Sequence, residues 1–241
     1  MERLQKKIAN LGYCSRRKAE ELITKGLVEV NGEVVTKLGT TIKPGDIITV
    51  EGNILDNSKS YEYYLLNKPK GVVTTTSDEK GRTTVIDLID TKTRIYPVGR
   101  LDYDTTGILI LTNDGELANL LMSPNSLVDK TYIAKIEGQV SIPSIQALRR
   151  GVVIDGIRTK KARVKLKSVD KKKNTSIVEI TIHEGKNHQV KKMFEVLGYK
   201  VTKLRREKYA NLNLKGLMPG EYRQLTVKEV KILYSLCKNK I

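Results

Sequence analysis

Apolar residues near the start of the chain recur with helical spacing. Leu4, Ile8 and Leu11 fall at i, i+4 and i+7, which predicts a helix that stops at Gly12. Ser15 is placed to cap a second helix, with Ala19, Leu22 and Ile23 on its inner face and Gly26 as its stop. The period then changes. Val28-Glu29-Val30 and Glu33-Val34-Val35 flank Asn31-Gly32, a pair that accepts the positive φ angles of a tight hairpin. Pro44-Gly45-Asp46 turns the chain into a strand over 47–50. Residues 53–60 are polar and lack helical periodicity. They divide a small helix-helix-hairpin module, residues 1–54, from a larger domain over 61–241, with a linker at 55–60.

The larger domain mixes both periods. Tyr63-Tyr64-Leu65-Leu66 reads as a strand running into Asn67-Lys68-Pro69-Lys70-Gly71. Ile108-Leu109-Ile110-Leu111-Thr112 reads as a buried strand closed by Asn113-Asp114-Gly115. A short helix over 116–122 turns Leu117, Leu120 and Leu121 inward, and strands follow at 131–136 and 176–182. Val190, Met193, Phe194 and Leu197 form the buried stripe of another helix. At 100° per residue, Lys191 lies at the margin of that stripe, able to enter a partly buried site, and Lys192 lies nearly opposite, toward solvent or phosphate. Thr226-Val227-Lys228-Glu229 is a capping box for a last helix. The expected fold class is α+β.

Charge narrows the partner. The formal net charge is +17, which favours a polyanion. A basic membrane-surface protein would need an amphipathic helix rich in Trp, Phe or Leu, and this chain has no Trp and one Phe, so nucleic acid is expected rather than membrane. Two cysteines, Cys14 and Cys237, fit a reducing compartment better than a disulfide framework. The N-terminus has no apolar stretch behind its charges, so a cytoplasmic protein is expected. Arg16, Arg17 and Lys18 occupy the first turn of the second helix, where the macrodipole disfavours cations. An anion nearby would reverse that penalty, since backbone N–H groups and cationic side chains together hold phosphate. Arg3, Lys6 and Lys7 on the first helix extend the same surface.

Candidate chemistry concentrates in two segments. The first is the loop Gly99-Arg100-Leu101-Asp102-Tyr103-Asp104-Thr105-Thr106-Gly107. A carboxylate on a loop at a strand edge is well placed for catalysis, although Asp is also an ordinary turn residue. The second is Glu184-Gly185-Lys186-Asn187-His188-Gln189-Val190-Lys191-Lys192, where His188 is a general base by type and equally a hydrogen-bonding or RNA-contacting group. Two histidines and two separated cysteines offer no metal-ligand spacing. Asp102, Asp104 and Asp114 as Mg²⁺ ligands of a nuclease form a rival reading. Neither a P-loop nor a dinucleotide fingerprint occurs. The chemistry expected is therefore free of cofactor and metal, such as breaking and remaking a glycosidic bond with a carboxylate.

Two resemblances sharpen this. Arg3-Leu4-Gln5-Lys6, Cys14-Ser15-Arg16-Arg17-Lys18-Ala19-Glu20 and Gly26-Leu27-Val28-Glu29-Val30-Asn31-Gly32 resemble the alpha-L RNA-binding domain of a ribosomal protein, which implies binding of structured RNA without implying a reaction. Leu66-Asn67-Lys68-Pro69-Lys70-Gly71, residues 97–107 with 111–115, Asp129-Lys130-Thr131-Tyr132 and residues 184–194 resemble the RsuA/RluB family of pseudouridine synthases. That resemblance covers nearly the whole chain, in the family's order. It implies a mixed-sheet catalytic domain, no cofactor, and Asp102 as the catalytic aspartate. It also implies that Tyr132 packs against the target base and that Lys191 pairs with Asp102, a cation that favours the carboxylate form. Arg100, Lys186, His188, Gln189 and Lys192 are expected at the RNA. Many relatives carry arginines where this chain has Lys186, Lys191 and Lys192, which keeps charge but loses the bidentate fork.

The implied reaction extrudes a uridine of ribosomal RNA, cleaves N1–C1′ with Asp102 acting at C1′ or on the 2′ proton, and rejoins the base through C5. A monomer is expected. Arg3-Leu4-Gln5-Lys6 and the run Leu166-Lys167-Ser168-Val169-Asp170-Lys171-Lys172-Lys173 resemble the branch acting on 23S rRNA. A 16S rRNA target and a non-catalytic ribosome-assembly factor are the alternatives.

Overall fold

The aliphatic run Ile108-Leu109-Ile110-Leu111 is wholly buried because the strand that carries it is covered on both faces. Leu109 and Leu111 point into one hydrophobic cluster, Ile108 and Ile110 into another. The computed structural model describes residues 1–56, 60–123 and 126–238; the linker reading falls partly on 57–59, outside the described residues. The chain forms two compact units, one over Met1–Glu62 with Thr91–Arg94 and Asn113–Gly115, the other over Tyr63–Asp90, Ile95–Thr112 and Glu116–Ile241.

The first unit runs β1 (Glu2–Arg3), α1 (Leu4–Asn10), α2 (Arg16–Thr24), β2 (Val28–Val30), β3 (Glu33–Val34), β4 (Thr41–Ile42), β5 (Ile48–Val50) and β6 (Asn53–Ile54). The hairpin turns on Asn31 and Gly32, both at positive φ as the sequence requires. Ser15 accepts a hydrogen bond from the Lys18 N–H, so α2 is capped as expected. Leu4, Ile8, Ala19, Leu22, Ile23, Val28, Ile48 and Val50 form its core.

The second unit continues with β7 (Tyr63–Lys68), β8 (Tyr96–Pro97), β9 (Thr106–Thr112), α3 (Gly115–Met122), β10 (Lys130–Glu137), α4 (Ile142–Arg150), β11 (Val153–Ile154), β12 (Ile157–Arg158), β13 (Arg163–Asp170), β14 (Thr175–Ile182), α5 (Gln189–Glu195), β15 (Lys200–Tyr209), β16 (Leu212–Asn213), β17 (Tyr222–Gln224) and α6 (Val227–Lys238). Its sheet runs β13-β14-β10-β15-β9-β7-β17. The pairing of β15 with β9 is parallel and the other neighbours along this path are antiparallel, so the sheet is mixed as expected. Val190, Met193 and Phe194 of α5 and Ile145 and Leu148 of α4 pack on one face. Leu117 and Leu121 of α3 and Leu233 of α6 pack on the other. Thr226 and Glu229 bond each other's backbone N–H at the start of α6.

Candidate active site

The loop before β9 is held from three sides. Thr74 Oγ1 donates to the Leu101 carbonyl over 2.7 Å. The Gly71 N–H donates to the Tyr103 carbonyl over 2.9 Å. The third anchor is Lys68, at the end of β7 and fully buried. Its Nζ donates to the carbonyls of Pro69 (3.1 Å), Asp102 (3.0 Å) and Thr105 (3.1 Å). Burial pulls Lys68 down to about 8, against the opposing pull of Asp102 and Asp104. A lysine ammonium has three N–H donors, and here each meets a main-chain acceptor, so the cation is spent on the loop.

Asp102 presents a partly exposed carboxylate above this scaffold. Lys191 Nζ lies 2.9 Å from Asp102 Oδ2 and 2.7 Å from Asp104 Oδ1. His188 Nε2 lies 3.3 Å from Asp102 Oδ1, and Thr105 Oγ1 is 3.4 Å from Oδ2. Lys191 enters from α5 at the margin of the buried stripe, as its helical position requires. Burial lowers its pKa, but hydrogen bonds to Asp104 and Asp102 outweigh that and hold it above the ordinary lysine value. The same hydrogen bond from Lys191 lowers Asp104. His188 sits at φ +50 as the residue before α5, an uncommon conformation for a non-glycine residue.

Tyr132, on β10, is 8% exposed and lies in the cluster with Ala134 and Ile136. Its hydroxyl is 3.5 Å from Nη1 of Arg206 on β15. Arg206 is buried, and its Nε donates to the Ile108 carbonyl over 2.7 Å.

Two expected RNA contacts are placed otherwise. Lys192 is half-buried, much as Lys191 is, and its Nζ pairs with Asp155 Oδ2 at 2.5 Å, because the hairpin of β11 and β12 meets that side of α5. Gln189 is buried. Its amide donates to Glu184 Oε1 over 2.6 Å and accepts from the Lys186 N–H, so it braces the segment before α5 and presents no surface to RNA. Arg100 is exposed and Lys186 is half-buried. In the first unit Arg3, Arg16, Arg17 and Lys18 are exposed, with Lys18 paired to Glu21 at 3.1 Å. Lys6 pairs with Glu2 at 3.4 Å, and Lys7, like Lys6, is half-buried. Among the described residues no group of three His, Cys, Asp or Glu side chains gathers in a metal-binding arrangement.

Lys68 and Arg206 escaped the sequence reading of the site. The available signal for Lys68 was a lysine continuing an apolar strand directly before proline. For Arg206 local sequence gives none, since its neighbours Arg205 and Glu207 are ordinary surface charges that pair with each other at 3.0 Å.

The model of the RNA pseudouridylate synthase family matches residues 62–196, and that of the S4 domain matches residues 2–48. The chain is 52% identical over 237 residues to the ribosomal large subunit pseudouridine synthase B of Bacillus subtilis (strain 168), covering 98% of this chain and 97% of that one. It is 36% identical to the dual-specificity RNA pseudouridine synthase RluF of Escherichia coli (strain K12), covering 98% and 80%. Among solved structures, a pseudouridylate synthase crystal structure matches with a TM-score of 0.69 at 35% identity, over 97% of this chain and all of the other.

Proposed function

We propose, for a chain that belongs to the RNA pseudouridylate synthase family, that it converts a uridine of large-subunit ribosomal RNA to pseudouridine. The observation that carries this reading is the Asp102 carboxylate, anchored through its own backbone by Lys68 and paired with Lys191. Residues 61–241 are the catalytic domain and 1–54 the RNA-binding domain in this assignment, and the 52% identity to a large-subunit enzyme supports the choice of RNA. The setting is cytoplasmic and the working form a monomer.

The chemistry follows from the groups present. A flipped uridine brings its C1′–N1 bond to Asp102. A carboxylate held by a rigid loop either attacks C1′ or removes the 2′ proton, and either route frees the base to turn and rejoin C1′ through C5; the C5 proton is then lost and N1 takes one up. Lys191 lies 2.9 Å from Asp102 and 2.7 Å from Asp104, so it offsets part of the carboxylate charge that an anionic substrate meets. Tyr132 supplies the flat wall for the base. No step calls for a cofactor.

The test is Asp102→Asn. The two side chains are nearly the same size, so the protein should fold and bind RNA. Asparagine is neither a comparable nucleophile nor a comparable base. Pseudouridine formation in intact rRNA should be lost in the variant and should persist in the unaltered protein with EDTA present. Full activity of Asp102→Asn would overturn the assignment; shortened RNA and inhibition by EDTA would point to the nuclease instead.

A further inference from the structure

Arg206 plays no part in the chemistry outlined above, yet its placement is costly. It is 3% exposed. Its Nη2 is buried with no hydrogen-bond partner, and among the described residues no carboxylate forms an ion pair with it. A second cation is close: the Arg206 guanidinium and the Lys130 ammonium both lie on the Tyr209 ring, at 5.2 Å and 5.6 Å from its centroid. Burial first, and then the Arg206 charge, pull Lys130 down to about 8. Stability alone disfavours a buried, unpaired guanidinium beside another cation, so a return in function is the better account.

The backbone tells where that return lies. Arg206 is the register partner of Tyr132 on β10 and of Gly107 on β9, so three strands stand abreast at this level. The β10–β15 register shifts between Thr131 and Tyr132, and such an irregularity re-aims the side chain that follows it. On the other side the strands approach so closely that a Cβ on Gly107 would lie 2.2 Å from the Arg206 carbonyl oxygen. From this position Nε holds the Ile108 carbonyl at 2.7 Å while Nη1 reaches the Tyr132 hydroxyl at 3.5 Å.

We propose that Arg206 is a positioning residue for the reaction, its guanidinium tying the Tyr132 hydroxyl to the strand that the Asp102 loop enters. The proposal rests on the reading that Tyr132 lies against the target base. A guanidinium is planar and its donors point in fixed directions, so one side chain braces two acceptors at a set separation; a lysine has one rotating donor head and spans only one of them. The brace fixes the wall of the pocket relative to the carboxylate, and small errors in that relation are costly in rate.

The test is a double-mutant cycle on Arg206 and Tyr132. Single-turnover pseudouridine formation on deproteinised large-subunit rRNA is measured with RNA affinity and melting temperature. Arg206→Gln should lower the rate on the order of 100-fold with RNA affinity unchanged within about threefold. In a Tyr132→Phe background the same substitution should cost less than about threefold, because the hydroxyl it serves is gone. If Arg206→Gln does not fold, Arg206→Lys carries the test, with the charge kept, the fork lost and the same non-additivity expected. Effects that multiply fully in the double variant, or an unaltered rate in a folded Arg206→Gln protein, would overturn the proposal. An unaltered rate in Tyr132→Phe would show that the hydroxyl does no work and would overturn the proposal, leaving the ring as the wall of the pocket, while Asp102→Asn would still decide the reaction separately.

Discussion

Lys68 fixes Asp102 through its backbone, not its carboxylate: the ammonium donates to the Asp102 main-chain carbonyl over 3.0 Å and leaves the side chain free to meet Lys191. The Asp102 carboxylate is thus aimed from below by one cation and met from the side by another, which it shares with Asp104.

Replacing Lys68 with methionine keeps much of the volume and removes all three N–H donors, leaving the carbonyls of Pro69, Asp102 and Thr105 without them. Each buried acceptor left unpaired costs about 1–3 kcal/mol. Thermal melting should show a clear loss of stability, and the rate should fall further than RNA affinity does.

Lys68 also sets a pH dependence. Its folded pKa is about 8, below the ordinary lysine value. As pH rises through about 8 the folded group loses a proton, and with it one of three donors to the loop, so activity should decline there. Over the window from that value up to the unfolded one, the unfolded chain binds more protons, so this group's contribution to stability rises with pH. Activity and stability should therefore move in opposite directions across that window. A Lys68→Met protein that keeps the same descending limb would assign the limb to another group.

The Lys191 network predicts a different profile. Lys191 is raised and Asp104 lowered. The stabilisation from Lys191 is complete below the unfolded lysine value and is lost as pH rises through the higher folded one. That from Asp104 is present above the unfolded carboxylate value and is lost as pH falls through the lower folded one. The difference in melting temperature between the unaltered protein and Lys191→Met should be flat from about pH 5 to about pH 9 and shrink below about pH 4. Turnover should drop on the order of 100-fold or more, with rRNA binding retained. Equal losses of rate and binding would make Lys191 an RNA contact instead.

Local periodicity made part of this structure legible in advance. The two helices and hairpin of the first unit, β9 and the stripe of α5 each repeat apolar residues at a period that reports one element. The same helical geometry set Lys191 at the edge of a site, where it meets Asp102. β15 was not legible. Among its ten residues Lys203, Arg205, Arg206 and Lys208 interrupt the apolar positions Val201, Leu204 and Tyr209, and two register shifts against β10 break the alternation. Lys68 stands out in the sequence only as part of a strand end and a family motif, with no sign of its role, because its burial depends on carbonyls 34 and 37 residues away. Helical geometry places Lys192 opposite the buried stripe, but no periodicity announces the Asp155 carboxylate that a separate hairpin brings to it, which leaves it half-buried.

Gly107 is the position where a single methyl group should do most harm. It has φ +105, and a Cβ there would meet the Arg206 carbonyl oxygen at 2.2 Å and its nitrogen at 2.8 Å. Both are backbone atoms of a paired strand, so neither can turn aside as a side chain would. Gly107→Ala should cost upward of about 2 kcal/mol from conformation and overlap together, a fall of roughly 4–8 °C in melting temperature for a chain of this size. A folded Gly107→Ala protein with an unaltered melting point would mean that β9 and β15 do not approach as closely as described.

The basic turn of α2 should supply RNA affinity, unequally among its three cations. Arg16, Arg17 and Lys18 are all exposed at a helix start, where the macrodipole repels cations and attracts phosphate. Lys18 already has Glu21 at 3.1 Å. Among the described residues no carboxylate forms an ion pair with Arg16 or Arg17, so their guanidinium groups remain available to phosphate oxygens, which they meet bidentately. Arg16→Ala and Arg17→Ala should each weaken rRNA binding and reduce the slope of log K against log salt by about 1. Lys18→Ala should do less, because the new phosphate contact competes with an existing partner. Removing these charges should leave α2 as stable or slightly more so, since cations at this end oppose the dipole. That pairing of weaker RNA binding with undiminished stability is the discriminating result. A triple variant that binds rRNA like the unaltered protein at every salt concentration would remove the N-terminal unit from RNA recognition, whatever its resemblance to a ribosomal module.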